Sequence, residues 1–260
     1  MNSKPAADSL ETRLPEGQVV DAAWLAGQGL SRSRVDAFLR AGRLVAVGRG
    51  GYRRPGPPLK WEHVVYSLAA LGYPVYVGGR SALELGGHAH YLPLAGVPRV
   101  ELRGARRLPV WAQAASPVEL RLHARSLFRE LPAQGMTTRA FGHWDWPIPF
   151  ATPELALLEV AAGVESDADF DFADKFFESA TVLRPALVAE LLRACTQVRA
   201  KRMFLWFAAR HGWPWFAKLD LAGVDLGRGK RMVAQGGVLD RRFQITVPKR
   251  MASDAEQPVY

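Results

Sequence analysis

The chain has 260 residues, 48% of them hydrophobic, which is enough to bury a core and to form two domains. Its formal net charge of +9 at pH 7 favours a polyanionic partner. The single cysteine, Cys195, excludes an internal disulfide and is typical of a reducing compartment. The sequence has no apolar signal segment and no apolar run near the roughly 20 residues of a membrane span. We therefore expect a cytoplasmic protein without a membrane partner.

Residues 8–56 have the pattern of a winged helix-turn-helix domain. A short first helix is predicted near Ser9. The next helix is predicted to begin at Asp21, whose carboxylate can accept from free backbone N–H groups, and to end at Gly27. Ser31 is the expected cap of the helix that follows.

The helix after Ser31 and the segment that follows it complete this pattern. Val35, Phe38 and Leu39 have i, i+3, i+4 spacing, which gives this helix one apolar stripe. Residues 44–47 and 52–54 are predicted to be the two strands of a hairpin, the wing, with a glycine-rich turn between them.

This module is strongly basic. Seven arginines and one acid lie between residues 31 and 54. Such a density of positive charge favours binding to duplex DNA, because contacts with phosphates release counterions. Arg32 and Arg34 lie where such a helix meets base edges, while Arg49 and Arg53 can reach phosphate or the minor groove. The alternative is a helical hairpin with a solvated basic face. The candidate DNA-binding residues are Ser31, Arg32, Ser33, Arg34, Arg40, Arg43, Arg49, Arg53 and Arg54.

Prolines at positions 55, 57 and 58 predict an extended connector and a second domain over residues 60–250. This second domain has a mixed α/β pattern, so the fold class predicted for the whole chain is α+β. Helices are predicted at residues 61–71, 81–85, from 153 onward and 184–210, and strands at residues 73–77, 97–102, 118–122, 138–140, 146–150 and 243–247.

Patterns that would support catalysis are weak. Gly78, Gly79 and Ser81 resemble the phosphate-holding turn of nucleotidyltransferases, but no D-x-D or D-x-E pair of acids follows. A turn that merely starts a helix is the favoured interpretation. His88 and His90 share a face if they lie on a strand, yet no third ligand lies near them, which favours structural histidines over a zinc site.

Residues 154–178 carry eight acids and one base. Asp169, Asp171 and Asp174 lack the glycine and the terminal glutamate of a calcium loop, so we expect a solvated acidic loop or a face that meets basic protein. Cys195 lies on an apolar stripe, which favours core packing over nucleophilic attack. We therefore predict no metal, no cofactor and no enzymatic activity. A nuclease that binds metal through acids of residues 167–174 is the enzyme alternative.

The chain contains eight tryptophans. Packing in or at the edge of a core is the favoured role, and the alternatives are a protein interface or stacking platforms for single-stranded nucleic acid. Five of these side chains cluster around prolines and glycines, namely Trp144, Trp146, Trp206, Trp213 and Trp215.

The order and spacing of several segments resemble the AbiEi family of antitoxins from bacterial type IV toxin–antitoxin systems, over roughly residues 12–250. These segments are GRGGY (48–52), YPVYVGGRSALELGGHAHYL (73–92), TPELALLEV (152–160), CTQVRAKRMFLWFAARHGWPW (195–215), LGRGKRM (226–232) and GGVLDRRFQITVPKR (236–250).

The resemblance implies a bifunctional protein that is not an enzyme. Its winged helix would bind inverted repeats of double-stranded DNA in its own promoter and repress it, through residues 31–40 and the wing around residues 49–53. Its C-terminal domain would neutralise a nucleotidyltransferase-like toxin without requiring a stable complex. The resemblance places in that antitoxin domain Gly79, Arg80, Ser81, Arg199, Lys201, Arg202, Arg228, Lys230 and Arg231.

A stand-alone winged-helix regulator with a ligand- or partner-sensing C-terminal domain would share the DNA-binding module. The neighbouring gene separates the two hypotheses, because a nucleotidyltransferase reading frame immediately downstream supports the antitoxin.

Overall fold

A computed structural model describes residues 10–87 and 99–252. His88 and His90 lie outside the described residues, so the prediction for them stays a prediction. Helices and separate β-sheets confirm the α+β fold class. The described helices are α1 (Leu10–Arg13), α2 (Ala22–Gly27), α3 (Arg32–Arg40), α4 (Trp61–Ala70), α5 (Gly79–Leu85), α6 (Val110–Ala115), α7 (Pro153–Ala162), α8 (Asp167–Ser179), α9 (Pro185–Ala194) and α10 (Val198–His211).

The strands form three sheets, of order β1-β3-β2, β10-β9 and β6-β5-β4-β8-β7. β5 pairs with β6 in parallel, as does β4 with β8, whereas β9 and β10 are antiparallel. The strands are β1 (Val19–Asp21), β2 (Val45–Ala46), β3 (Gly51–Arg53), β4 (Tyr76–Val77), β5 (Arg99–Arg103), β6 (Glu119–His123), β7 (Met136–Phe141), β8 (Trp146–Ala151), β9 (Val238–Asp240) and β10 (Ile245–Val247).

The chain divides into two compact units. Unit 1 contains residues 1–76, 95–124 and 138–149, and unit 2 contains residues 77–94, 125–137 and 150–260.

Unit 1 contains the winged helix-turn-helix. The Asp21 carboxylate accepts from the backbone N–H of Trp24 at 2.8 Å, which confirms the predicted start of α2. β1 was missed by the sequence analysis and adds a third strand to the wing sheet, where Val20 pairs with Tyr52. The helices and this sheet close over a small core of buried side chains, Leu10, Leu14, Val20, Leu25, Val35 and Leu44.

Elsewhere in unit 1, β1 packs on α4. The backbone N–H of Val19 donates to the buried hydroxyl of Ser67 at 2.8 Å. Gly17 has φ +89°, and a Cβ on it would lie 2.5 Å from Cδ2 of His63. These contacts join residues on either side of the proline connector. The domain limits of 8–56 and 60–250 stay a prediction.

The core of unit 2 is built from α7, α8 and α10. α7 carries acids at two positions, yet Glu154 and Glu159 are as buried as its leucines. Four phenylalanine rings pack between α8 and α10, with the Phe177 ring stacked on that of Phe207 at 5.0 Å between centroids. Cys195 is 3% exposed, which confirms its prediction as a core residue, and its burial raises the pKa of the thiol.

Two predictions for unit 2 need correction. The acidic segment is not a loop, since residues 167–179 form α8, with Ser166 and Asp169 in a reciprocal capping box. Arginines of the same chain pair with three of its other acids: Arg250 with both Asp167 and Asp171, and Arg210 with Asp174. The helical region predicted at residues 184–210 is two helices, α9 and α10, because the chain is extended at Cys195 and Gln197.

The tryptophans follow the prediction of packing in or at the edge of a core at four of five positions. Trp146, Trp206 and Trp215 are buried. Trp213 is partly buried, and its indole N–H donates to the carbonyl of Phe177 at 3.0 Å. Trp144 is 61% exposed. None of the described helices combines the length and the apolar character needed to cross a membrane.

Candidate nucleic-acid interface

The helix α3 is held by its cap and by its apolar stripe. The Ser31 hydroxyl accepts from the backbone N–H of Arg34 at 3.4 Å, as predicted, and also lies 3.0 Å from the Ser33 hydroxyl. Val35 is buried in the core, with Phe38 and Leu39 packed against it. Because the stripe occupies one face, the side chains of Arg32, Ser33, Arg34 and Arg40 remain exposed on the others.

The arginines of α3 and of the segment after it lie close to one another. The Arg43 guanidinium lies 4.6 Å from the centre of the Phe38 ring, and that of Arg34 lies 5.8 Å from it. Arg40 donates to the backbone carbonyl of Asp36 at 3.4 Å. A cation–π contact holds an arginine stem without neutralising its charge. These side chains can therefore still meet a polyanion.

The wing places one arginine at its tip and ties down two others. Arg49 is exposed between Gly48 and Gly50, whose φ values are +67° and +86°. Arg53 donates to the carbonyls of Pro57 and Gly56 at 2.7 and 3.2 Å, and Arg54 donates to Leu14 at 3.4 Å. The sequence analysis treated these arginines alike, but the structure gives Arg53 and Arg54 partners in the backbone.

The turn before α5 is occupied by the protein's own carboxylate. The backbone N–H of Gly79 donates to Oε2 of Glu159 at 2.7 Å, and both residues are buried. Ser81 is 3% exposed. This carboxyl group takes the place that a phosphate needs, which agrees with the interpretation of the turn as the start of a helix.

The remaining residues assigned to the antitoxin domain divide by exposure. Lys201 and Arg202 are both 3% exposed. Arg80 pairs with Glu84 and lies 4.3 Å from the centre of the Phe172 ring. Arg199, half-buried, donates to the carbonyl of Ala162 at 2.9 Å. Arg228 and Lys230 are exposed, and Arg231 is half-buried.

Arg202 holds the loop that carries Arg228 and Lys230. Its Nε and both Nη atoms donate at 2.6–3.1 Å to four backbone carbonyls. Burial, with the nearby charge of Arg231, lowers the pKa of this guanidinium. The acceptors belong to Leu226, Gly227, Gly229 and Gln244.

The sequence analysis missed α6, a short helix without a capping side chain. Its Trp111 is 2% exposed and contacts the wing. A short helix of small residues around one tryptophan has no periodic signal that separates it from a loop. Among the described residues there is no group of three or more His, Cys, Asp or Glu that could hold a metal ion.

A capped helix with exposed arginines, a three-stranded wing sheet and a small core define the N-terminal part as a winged helix-turn-helix within an α+β protein. Residues 2–94 match the family model described as "Transcriptional regulator, AbiEi antitoxin N-terminal domain". Residues 98–248 match "Transcriptional regulator, AbiEi antitoxin, Type IV TA system". The chain belongs to the AbiEi antitoxin family of transcriptional regulators, which confirms the resemblance drawn from the sequence.

No curated protein sequence matches the chain. Among solved structures, the chain is similar to the "RV2827C protein from Mycobacterium tuberculosis", with a TM-score of 0.49 and 17% identity. The similarity covers 88% of this chain and 85% of that one.

Proposed function

We propose that this protein is an autoregulatory antitoxin acting in the cytoplasm. In this proposal its winged helix binds inverted repeats of double-stranded DNA in its own promoter, and its unit 2 neutralises a nucleotidyltransferase-like toxin. α3 lies in the major groove, Arg32 and Arg34 contact base edges, and Arg49 of the wing contacts the backbone.

The observation that carries this proposal is the exposed first turn of α3. Arg32 and Arg34 extend from α3. The N-cap and the buried apolar stripe of this helix fix its orientation on the core. Asp36 is the one acid of the basic module between residues 31 and 54. The major groove is about 12 Å wide and admits an α-helix. A helix that is exposed, basic and held at its apolar side fits this groove.

The test is a gel-shift titration of the protein's own promoter fragment with the double variant Arg32→Ala and Arg34→Ala. A bidentate arginine–guanine pair contributes about 1–3 kcal/mol, so we expect the affinity to fall at least 30-fold. The matched control is Arg125→Ala with Arg129→Ala, which removes the same charge from exposed positions of unit 2. Affinity of the first variant within threefold of the unmodified protein would remove α3 from the reading role.

For the antitoxin activity we propose the loop of residues 226–231 as a contact surface. Arg228 and Lys230 are exposed there, while three of the four bonds from Arg202 fix the backbone beneath them. A fixed loop loses little conformational entropy when it binds a partner. Arg202 supports this surface from within.

This second proposal is tested by growth rescue in cells that express the neighbouring toxin gene. We expect Arg228→Gln with Lys230→Gln to weaken rescue while promoter binding is unchanged. Lys175→Gln with Lys218→Gln is the control, because both lysines are exposed in the same unit. Full rescue by the first variant would exclude the loop. No rescue by the unmodified protein would favour the stand-alone regulator.

A further inference from the structure

The turn of the wing lies directly on α6. A Cβ on Gly48 would be 2.7 Å from Cβ of Ala114 and 3.2 Å from Cα of Trp111. A Cβ on Gly51 would be 2.6 Å from Cβ of Trp111. Real Cβ atoms essentially never approach within 3.0 Å of such atoms, so at Gly48 and Gly51 the backbone of the wing touches α6 with no room for a side chain.

The helix α6 is itself firmly held in unit 1. Trp111 is 2% exposed, and Ala112 is fully buried. The side-chain amide of Gln113 accepts from the backbone N–H of Leu120 at 2.8 Å and donates to the carbonyl of Val118 at 3.1 Å. These bonds attach α6 to β6, which pairs along its whole length with β5. The wing therefore rests on a rigid support.

We propose that Trp111 and Ala114 are positioning residues for DNA binding, because they set where the wing presents Arg49. The inference rests on the proposed binding of DNA by the winged helix. It means that the unit that contacts DNA includes residues 99–123, which lie outside the N-terminal family model at residues 2–94. Within the wing, β2 and β3 share two residue pairs, and the backbone N–H of Val47 donates to the carbonyl of Gly51 at 2.9 Å, so the contact with α6 adds to a short ladder.

The effect of this support is confined to the wing. Arg49 directly follows Gly48, so a displaced turn moves the Arg49 side chain away from its phosphate. The cap and the core contacts of α3 involve residues 10–52, none of which belongs to α6. Disturbing α6 should therefore weaken backbone contact by the wing and leave base recognition by α3 intact.

The experiment compares alanine substitutions at two wing glycines that both have a positive φ. Gly48 and Gly50 both have positive φ, but only the Cβ added at Gly48 meets α6, because the space around Gly50 is open to 4 Å. We expect Gly48→Ala to bind the promoter fragment about tenfold more weakly than Gly50→Ala. Its slope of log K against log salt should also be shallower by about 0.9, as for one lost phosphate contact.

A rescue variant and a second disturbance complete the test. Gly48→Ala with Ala114→Gly removes the Cβ–Cβ conflict and leaves only the milder 3.2 Å approach to Cα of Trp111, so it should restore most of the lost affinity. Ala114 is exposed beside the wing, and Ala114→Leu adds bulk at its contact with Gly48 without changing the wing's backbone, so we expect it to reproduce the loss. Thermal melts check that each variant is folded.

The outcomes separate this inference from the proposed function. If the unmodified protein binds its promoter and Arg32→Ala with Arg34→Ala abolishes binding, the winged helix binds DNA. Equal affinities of Gly48→Ala and Gly50→Ala, together with unchanged binding by Ala114→Leu, would then overturn the positioning role of α6. No promoter binding by the unmodified protein would overturn both.

Discussion

The basic residues at 31–54 and those at 199–231 look alike in the sequence and differ in the structure. Arg32 is exposed, whereas Arg202 is 3% exposed and donates to four carbonyls. A run of arginines therefore does not by itself mark a binding surface. Whether an arginine is available to a partner depends on whether the helix that carries it is buried on one face or on every face.

The two helices show the reason. α3 has one buried residue, Val35, so most of its circumference is open to solvent. α10 is buried at nine consecutive positions, 200–208, so side chains on every face enter the core. A buried guanidinium is tolerated only when its donors are satisfied, and the loop of residues 226–231 supplies three of the four acceptors.

The largest expected effect is on stability, through Arg202→Ala. Removing the guanidinium leaves four carbonyls without this donor and opens a cavity, so we expect a loss of about 3–5 kcal/mol in the free energy of unfolding. Arg32→Ala should change it by less than about 0.5 kcal/mol. Urea unfolding followed by circular dichroism measures both. Similar values for the two variants would contradict the assignment of Arg202 as structural.

Arg184 differs from both Arg32 and Arg202, because its side chain is 60% exposed and yet pairs with a buried acid. Its Nε and Nη2 atoms donate to Glu154 at 2.9 and 3.0 Å, and Glu154 is 3% exposed. We expect Arg184→Ala to cost about 1.5–3 kcal/mol, since hydrogen bonds to a charged group are lost and water replaces them in part. A thermal melt compared with that of Arg129→Ala tests this.

The same pair predicts a pH dependence. Burial acts to raise the pKa of Glu154, but the hydrogen bonds from Arg184 outweigh it and leave the pKa below its ordinary value of 4.5. The pair therefore stabilises the fold fully above about pH 4.5 and loses this contribution as the pH falls further. Unfolding free energies at pH 6 and pH 3.5 should differ less in Arg184→Ala than in the unmodified protein. An equal difference in the two proteins would contradict the stabilising role of the Glu154–Arg184 pair.

The smallest expected effect distinguishes two arginines within the basic module. Arg49 is exposed at the tip of the wing, whereas Arg54 donates to Leu14. Arg49→Gln should make the slope of log K against log salt shallower by about 0.9, and Arg54→Gln should leave it unchanged. Promoter titrations at several salt concentrations give both slopes. A shallower slope with Arg54→Gln and an unchanged slope with Arg49→Gln would assign the phosphate contact to Arg54 instead.

Local signals predicted much of the winged helix. Asp21 and Ser31 cap their helices as expected, since capping depends on residues within one turn. The sequence analysis missed β1, because three residues carry too little periodicity to reveal a strand. For residues 167–179 it expected a solvated acidic loop or a face that meets basic protein, and it did not recognise the helix, whose buried face is Phe170, Ala173, Phe176 and Phe177.

The order of the sequence segments was enough to predict the family, and caps and apolar spacing, which are local properties, were enough to predict the α+β class and the exposed first turn of α3. The packing of the folded chain determines which basic side chains are available to a partner. Arg202 is buried because α10 is surrounded, and Arg54 donates to a carbonyl 40 residues away. The support of the wing by Trp111 belongs to the same class, since Gly51 and Trp111 meet only when the chain has folded. Such contacts join distant positions, and no local pattern encodes them.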